Sequence, residues 1–73
     1  MKRYANRSGG SGVAAYQLTA DAIRVRFANS DRVYEYSHAS AGMAHVDAMK
    51  RLAREGRGLG THISRHVSDR YVR

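Results

Sequence analysis

Two short alternating stretches decide the fold: Ile-Arg-Val-Arg-Phe at positions 23–27 and Val-Tyr-Glu-Tyr at positions 33–36. Apolar and polar residues take turns in both, which is the period of a β-strand with one buried face. The residues between them, 28–32, include Asn, Ser and Asp, whose side chains favour turns. The two stretches therefore predict an antiparallel hairpin.

The register of this hairpin follows from the length of its turn. With a loop over residues 29–32, the facing pairs are Phe27 with Tyr34, Val25 with Tyr36, and Arg26 with Glu35. The apolar side chains then share one face: Ile23, Val25, Phe27, Tyr34 and Tyr36. The charged side chains lie on the other: Arg24, Arg26 and Glu35. We expect the apolar face to be buried.

A further strand is predicted over residues 13–18, where Tyr16 and Leu18 share a face. The connection over residues 19–21 is tight, so this strand should pair antiparallel with the one at 23–27. The sheet is thus predicted to be a three-stranded meander. Its free edge at 33–36 could pair between two copies of the chain, although the sequence does not determine the oligomeric state.

Two helices are predicted after the sheet. Ser40 caps the first, which covers residues 41 to about 55 with an apolar stripe, and Gly56 lies just beyond its end. Thr61 caps the second, which ends at about residue 68. Its apolar row should pack on the sheet: Leu59, Ile63, Val67 and Tyr71.

Together these elements predict an α+β domain, a three-stranded antiparallel β-meander with two helices packed on one face, in the order β-β-β-α-α. At 73 residues the chain is one domain at most. Residues 1–12 hold three cations, no acid and a Ser-Gly-Gly-Ser-Gly run. We therefore expect residues 1–12 to form a flexible basic arm and residues 13–73 to form the domain.

The composition excludes some classes of protein and favours a polyanionic partner. The chain has no Cys, so a disulfide or a thiolate metal site is excluded. Its apolar runs are too short for a membrane-spanning helix or a signal-peptide core, so a cytoplasmic location without membrane attachment is expected. The net charge is +7, and residues 50–73 carry seven cations against two acids. Most of these cations are Arg, whose planar guanidinium binds two phosphate oxygens at once.

The Tyr-Glu-Tyr at 34–36 is similar to the Tyr-x-Tyr signature of the KTSC domain, a small bacterial module found at the C-terminus of some lysyl-tRNA synthetases and as a stand-alone protein. The similarity extends from about Ser11 to Tyr71. It includes the strand at 23–27, Met-Lys-Arg-Leu-Ala at 49–53, Gly-x-Gly-Leu at 56–59, and Ile-Ser-Arg at 63–65. The resemblance implies an α+β fold and, through the synthetase association, RNA binding, while no activity is established for the family.

Charge and resemblance together favour a non-enzymatic nucleic-acid-binding domain, for RNA or tRNA in the first place, that recognises backbone shape and charge. The glycine-rich turn at 55–60 should merge the cations of the two helices beside the backbone N–H groups of residues 58–61. The predicted nucleic-acid-binding residues are Lys50, Arg51, Arg54, Arg57, Gly58, Gly60, Thr61, His62, Arg65 and Arg70. The alternative is a protein-interaction module that docks on an acidic partner.

Two further patterns suggest chemistry less strongly than structure. His62 and His66 lie four residues apart, as two metal ligands on one helix do, with Asp69 as a candidate third ligand. A solvated helix face explains them better. The same histidines with Arg65 have the residue types of a small hydrolase, but no second catalytic group accompanies them. We therefore predict no catalytic residue, no metal site and no cofactor.

The tyrosines of the central signature also have two interpretations. Tyr34 and Tyr36 could stack on RNA bases from an open sheet face. They are, however, in phase with Ile23 and Val25, which makes a place in the core the better prediction.

Overall fold

The computed structural model describes residues 1–7 and 12–73. Within these residues four strands form one antiparallel sheet in chain order: β1 (Lys2–Arg3), β2 (Val13–Leu18), β3 (Ala22–Phe27) and β4 (Val33–Ser37). The helices follow as α1 (His38–Ala41), α2 (Met43–Glu55) and α3 (Leu59–His62), and α3 continues as a π-helical segment, Ile63–Val67. We call residues 59–67 the C-terminal helix. The architecture is α+β as predicted, with four strands in place of three.

The additional strand lies in the segment for which the sequence predicts a flexible arm. β1 pairs with β2, and the ring of Tyr4 just beyond it is buried, with 3% of its surface exposed. The Arg7 N–H donates to the Gly56 carbonyl over 2.6 Å. Residues 1–7 differ from the prediction because one buried aromatic ring offsets the entropy of ordering a basic peptide. The glycine-rich part of the predicted arm, residues 8–11, lies outside the described residues.

β3 and β4 pair two residues away from the predicted register. The facing pairs are Ile23 with Tyr36, Arg24 with Glu35, and Val25 with Tyr34. The predicted pairs Phe27 with Tyr34, Val25 with Tyr36 and Arg26 with Glu35 are therefore wrong. The turn is longer than expected because the Ser30 N–H donates to the Phe27 carbonyl at 3.1 Å and the Ser30 hydroxyl accepts the Arg32 N–H at 3.0 Å. A shift of two residues leaves every side chain on its predicted face.

Both predicted helix starts are corrected by the structure. Ser37, rather than Ser40, caps the first helical segment: each of these serines accepts the other's backbone N–H on its hydroxyl, both at 3.0 Å. This reciprocal box forms where β4 ends, and Gly42, with φ 96°, interrupts the helix before α2 begins. Thr61 lies inside α3, which starts at Leu59 after a glycine in the left-handed conformation.

The helices cover one face of the sheet, and the core lies between the two layers. Its largest fully buried side chains are Tyr36, Ile23, Met49, Leu59, Val25, Val46 and Val67. The predicted apolar row of the C-terminal helix is confirmed, since Leu59, Ile63 and Val67 are all buried. The polar face of the sheet lies opposite, where Arg24 Nε donates to Glu35 Oε1 at 2.8 Å.

The end of the chain returns to the sheet edge. The Val72 N–H donates to the Glu35 carbonyl over 2.6 Å, so part of the free edge of β4 is bonded within the chain. Tyr71 packs beside it against Tyr34 and Tyr36. In residues 1–7 and 12–73 no helix has the length and apolar character needed to span a membrane.

Candidate functional site

Two glycines shape the turn that joins α2 to the C-terminal helix. Gly56 has φ 78° and Gly58 has φ 81°, a left-handed backbone that favours glycine. The Gly56 N–H donates to the carbonyls of Leu52 and Ala53 and ends α2 where the sequence predicts. A side chain at this position has no room, because a Cβ on Gly56 would lie 2.6 Å from the Cβ of Ala5. The turn therefore holds the two helix ends close together.

A groove of about 550 Å³ opens beside this turn. It is lined by Leu52, Glu55, Arg57, Gly58, Thr61, His62, Arg65 and His66, and we call it the α2–α3 groove. The acid in its lining, Glu55, is paired with Arg51, whose Nη1 lies 3.3 Å from Glu55 Oε2. Within the described residues Arg57 and Arg65 have no ion pair. The groove therefore presents two uncompensated guanidinium groups.

Half of the predicted nucleic-acid-binding residues line the α2–α3 groove: Arg57, Gly58, Thr61, His62 and Arg65. Lys50 does not join them. Its Nζ donates to the carbonyls of Thr19 at 2.7 Å and Ala20 at 3.2 Å, which ties α2 to the turn between β2 and β3. A lysine predicted to bind phosphate thus has a structural role.

The remaining predicted residues lie outside the groove lining. Arg51 is held by its ion pair with Glu55, and Arg54 lines a separate cavity beside β1. Gly60 lines a pocket on another face of the C-terminal helix, and Arg70 is exposed beyond the end of that helix. The single cluster of cations that the sequence predicts is divided in the structure, because successive cations of α2 point in different directions around the helix.

One predicted backbone donor at the turn is already in use. The Leu59 N–H donates to the hydroxyl of the buried Tyr4 at 3.3 Å. This bond links the first residues of the chain to the start of the C-terminal helix. The Leu59 N–H is therefore already bonded, although the sequence predicts the N–H groups of residues 58–61 as donors to a phosphate.

Three imidazole rings meet at the α2–α3 groove, and we call them the histidine cluster. His45 comes from α2, whereas His62 and His66 come from the C-terminal helix. The Nδ1 atom of His45 lies 3.2 Å from Nε2 of His62. The ring centroids are 5.2 Å apart for His45 and His62, 5.3 Å for His45 and His66, and 4.7 Å for His62 and His66. The sequence indicated the pair on one helix and missed His45, because its contact with His62 joins two separate helices.

The environment of His62 favours the neutral ring. Burial lowers the pKa of His62 below its ordinary value of 6.5, and the neighbouring His66, His45 and Arg51 lower this pKa further. A neutral imidazole has one N–H donor and one acceptor nitrogen. His45 and His62 can therefore share a hydrogen bond in which one ring donates and the other accepts.

A second group of rings, the tyrosine cluster, lies at the edge of β4. It comprises Phe27, Tyr34, Tyr36 and Tyr71, at centroid distances of 4.9 to 6.3 Å. Tyr36 is 1% exposed, which confirms its predicted place in the core, and burial raises its pKa to about 12. Tyr34 is half-buried, and the guanidinium of Arg32 lies 4.9 Å from the centre of its ring. The cluster therefore ranges from the fully buried ring of Tyr36 to the half-buried ring of Tyr34, which lies against the guanidinium of Arg32.

No protein-family model, curated protein or solved structure matches this chain. The similarity to the KTSC domain stays a prediction based on the motifs quoted above. The function is therefore inferred from the geometry of the α2–α3 groove.

Proposed function

We propose that the domain binds nucleic acid, RNA in the first place, by holding backbone phosphates in the α2–α3 groove. The observation that carries this proposal is the pair of guanidinium groups, Arg57 and Arg65, on the lining of one groove without an acidic partner in the described residues. The acid nearby, Glu55, is engaged by Arg51. An uncompensated pair of arginines suits two neighbouring phosphates, because each guanidinium binds two oxygens of one phosphate.

The chemistry of the groove favours contacts to the backbone over contacts to the bases. Apart from Glu55, its polar side chains are Arg57, Arg65, the hydroxyl of the exposed Thr61 and two imidazoles, all of which can donate to phosphate oxygens. The net charge of +7 adds a general attraction to any polyanion. The expected result is binding that depends strongly on salt and weakly on sequence, without catalysis.

The proposal is tested by two double variants that remove the same charge. The first combines Arg57→Ala with Arg65→Ala and removes both guanidinium groups from the groove. The second combines Arg54→Ala with Arg70→Ala and removes two predicted cations that lie elsewhere. Labelled tRNA, single-stranded RNA and duplex DNA are titrated with each protein at several salt concentrations. We expect the groove variant to weaken binding evenly across sequences and to reduce the salt slope by about 1 for each lost phosphate contact. The second variant should retain most of its affinity.

Equal losses of affinity in the two variants would contradict the proposal, because they would show that binding depends on net charge alone and not on the groove. Weak binding to all three ligands that vanishes near physiological salt would have the same meaning. In that case the second candidate, docking on an acidic protein, gains support. It predicts saturable binding to one protein at moderate salt.

A further inference from the structure

A cavity opens between the C-terminal helix and the edge of β4. Its volume is about 430 Å³, which lies within the range of about 300–1,000 Å³ for small-molecule sites. We call it the tyrosine pocket, and it is lined by Phe27, Tyr34, Tyr36, Gly60, Ile63, Ser64, Ser68 and Tyr71. Among the described residues the lining thus combines the rings of the tyrosine cluster with two serine hydroxyls and contains no acid.

Three rings of this pocket are only partly buried. Phe27, Tyr34 and Tyr71 pack against the core from outside, whereas the fourth ring belongs to the core itself. The ring centroids of Tyr34 and Tyr71 lie 4.9 Å apart at an interplanar angle of 81°, so the two rings form the walls of a corner. A flat aromatic group that lies parallel to one of these rings meets the other at its edge, and both arrangements are favourable.

Two arginines lie against the same rings. The guanidinium carbon of Arg32 is 4.9 Å from the ring centre of Tyr34 and 5.7 Å from that of Tyr71. The guanidinium carbon of Arg73 is 4.9 Å from the ring centre of Tyr71. Both arginines are exposed, and within the described residues neither has an ion pair. Rings with free cations beside them suit a ligand that joins a flat aromatic group to an anion, which is the composition of a nucleotide.

Exposed polar side chains connect the tyrosine pocket to the α2–α3 groove. Thr61 and Arg65 line the groove, Ser64 and Ser68 line the pocket, and all four residues are exposed. They follow one another at intervals of three and four residues, which makes them neighbours on the surface of the C-terminal helix. One helix has an overall diameter of about 10–12 Å. A nucleic-acid strand with a phosphate in the groove therefore reaches the pocket a short distance further along.

We propose that the tyrosine pocket binds one unpaired base of the same RNA strand whose phosphates lie in the α2–α3 groove. The base stacks on the ring of Tyr71 beside Tyr34, and Arg32 and Arg73 contact the neighbouring phosphate. This inference rests on the proposed function and narrows the ligand to single-stranded RNA, because paired bases in a duplex do not expose their faces. Stacking on an aromatic ring accepts any base, which agrees with the weak dependence on sequence expected of the groove.

The test compares two ligands that carry the same phosphates. One is a short single-stranded oligouridine, and the other is a ribose–phosphate strand of the same length without bases. We expect the parent chain to bind the oligouridine more tightly by about 5- to 150-fold, which corresponds to one stacked base. Tyr71→Ala should remove this difference and leave the affinity for the abasic strand unchanged. Tyr71→Phe, which keeps the ring, should retain the difference.

The groove variant, Arg57→Ala with Arg65→Ala, separates this inference from the proposed function. It should weaken the binding of both strands by the same factor and keep the difference between them. If it leaves both affinities unchanged, the proposed function fails, while a preference for the strand with bases still supports the pocket. The inference is overturned if the parent binds the two strands equally, if the preference survives Tyr71→Ala or is lost in Tyr71→Phe, or if neither strand binds.

A second measurement on the parent chain does not depend on how any variant folds. The NMR signals of the Tyr71 ring protons should shift further with the oligouridine than with the abasic strand, because a stacked base adds its ring current. Equal shifts with the two strands would overturn the inference. Circular dichroism of Tyr71→Ala separates loss of the pocket from loss of the fold.

Discussion

The tyrosine cluster and the histidine cluster lie against different faces of the C-terminal helix and pack their rings at similar distances. Centroids are 4.9 to 6.3 Å apart in the first and 4.7 to 5.3 Å apart in the second. Their chemistry differs. Phenol rings stay neutral far above physiological pH, whereas the ordinary pKa of an imidazole lies close to it. Similar ring geometry thus supports a fixed core on one face and a responsive site on the other.

The largest effect should come from the buried end of the tyrosine cluster. Tyr36→Ala removes a 1% exposed ring, and we expect a loss of about 3–5 kcal/mol in the free energy of unfolding, measured with urea. His66→Ala removes an exposed ring and should change that free energy by no more than about 0.5 kcal/mol. Similar losses of unfolding free energy in the two variants would show that both clusters stabilise the fold and that the two regions do not differ in this respect.

Alkaline pH should act on the tyrosine cluster. The pKa of Tyr36 is raised from 10.0 to about 12, so between these values the unfolded chain loses a proton that the folded chain keeps. Stability should therefore fall as pH rises through this window. Urea midpoints of the parent and of Tyr36→Phe, which has no ionisable group there, isolate the contribution. Parallel curves for the two proteins would contradict it.

Mildly acidic pH should act on the histidine cluster. The pKa of His62 is lowered below 6.5, so the unfolded chain takes up a proton before the folded chain does. The stabilisation is complete above about pH 6.5 and is lost as pH falls below this value. His62→Gln should flatten the decline when both proteins are unfolded by urea at a series of pH values. An unchanged slope would mean that His62 does not carry the effect.

The smallest effect should come from the exposed rim of the tyrosine cluster. Arg32→Ala removes a guanidinium 4.9 Å from the Tyr34 ring centre, and a cation–π contact at such a site contributes about 0.5–1 kcal/mol. Arg70→Ala removes the same charge from an exposed position that has no cation–π contact with the rings of the described residues, and it serves as the control. Equal unfolding free energies for the two variants would show that the contact of Arg32 with the Tyr34 ring adds no stability.

Local signals in the sequence determined much of the fold. Alternation placed Val25 and Tyr36 on the buried face, and helical spacing placed Leu59 and Val67 in the core. Gly56 ended α2 where predicted, because a left-handed backbone favours glycine. These predictions succeed because strand period, helix period and backbone conformation are properties of neighbouring residues.

The strand register and the extent of the sheet were decided by bonds that the sequence pattern does not contain. Ser30 lengthened the turn and shifted β4 by two residues, a change that alternation cannot detect because it preserves both faces. The burial of Tyr4 added β1 to the sheet from a segment whose composition indicated an arm. In both cases a single side chain overrode the average character of its segment.

The sequence predicted part of the site, and tertiary structure decided the rest. The glycine-rich turn predicted that Arg57 and Arg65 lie in one patch, and both line one groove, whereas packing directs Lys50 to another turn. The same packing brought His45 within 3.2 Å of His62 across 17 residues of sequence. A residue type fixes what chemistry a side chain can perform. Which side chains perform it together depends on contacts between elements, and these form only when the apolar faces of the helices and the sheet are buried against each other.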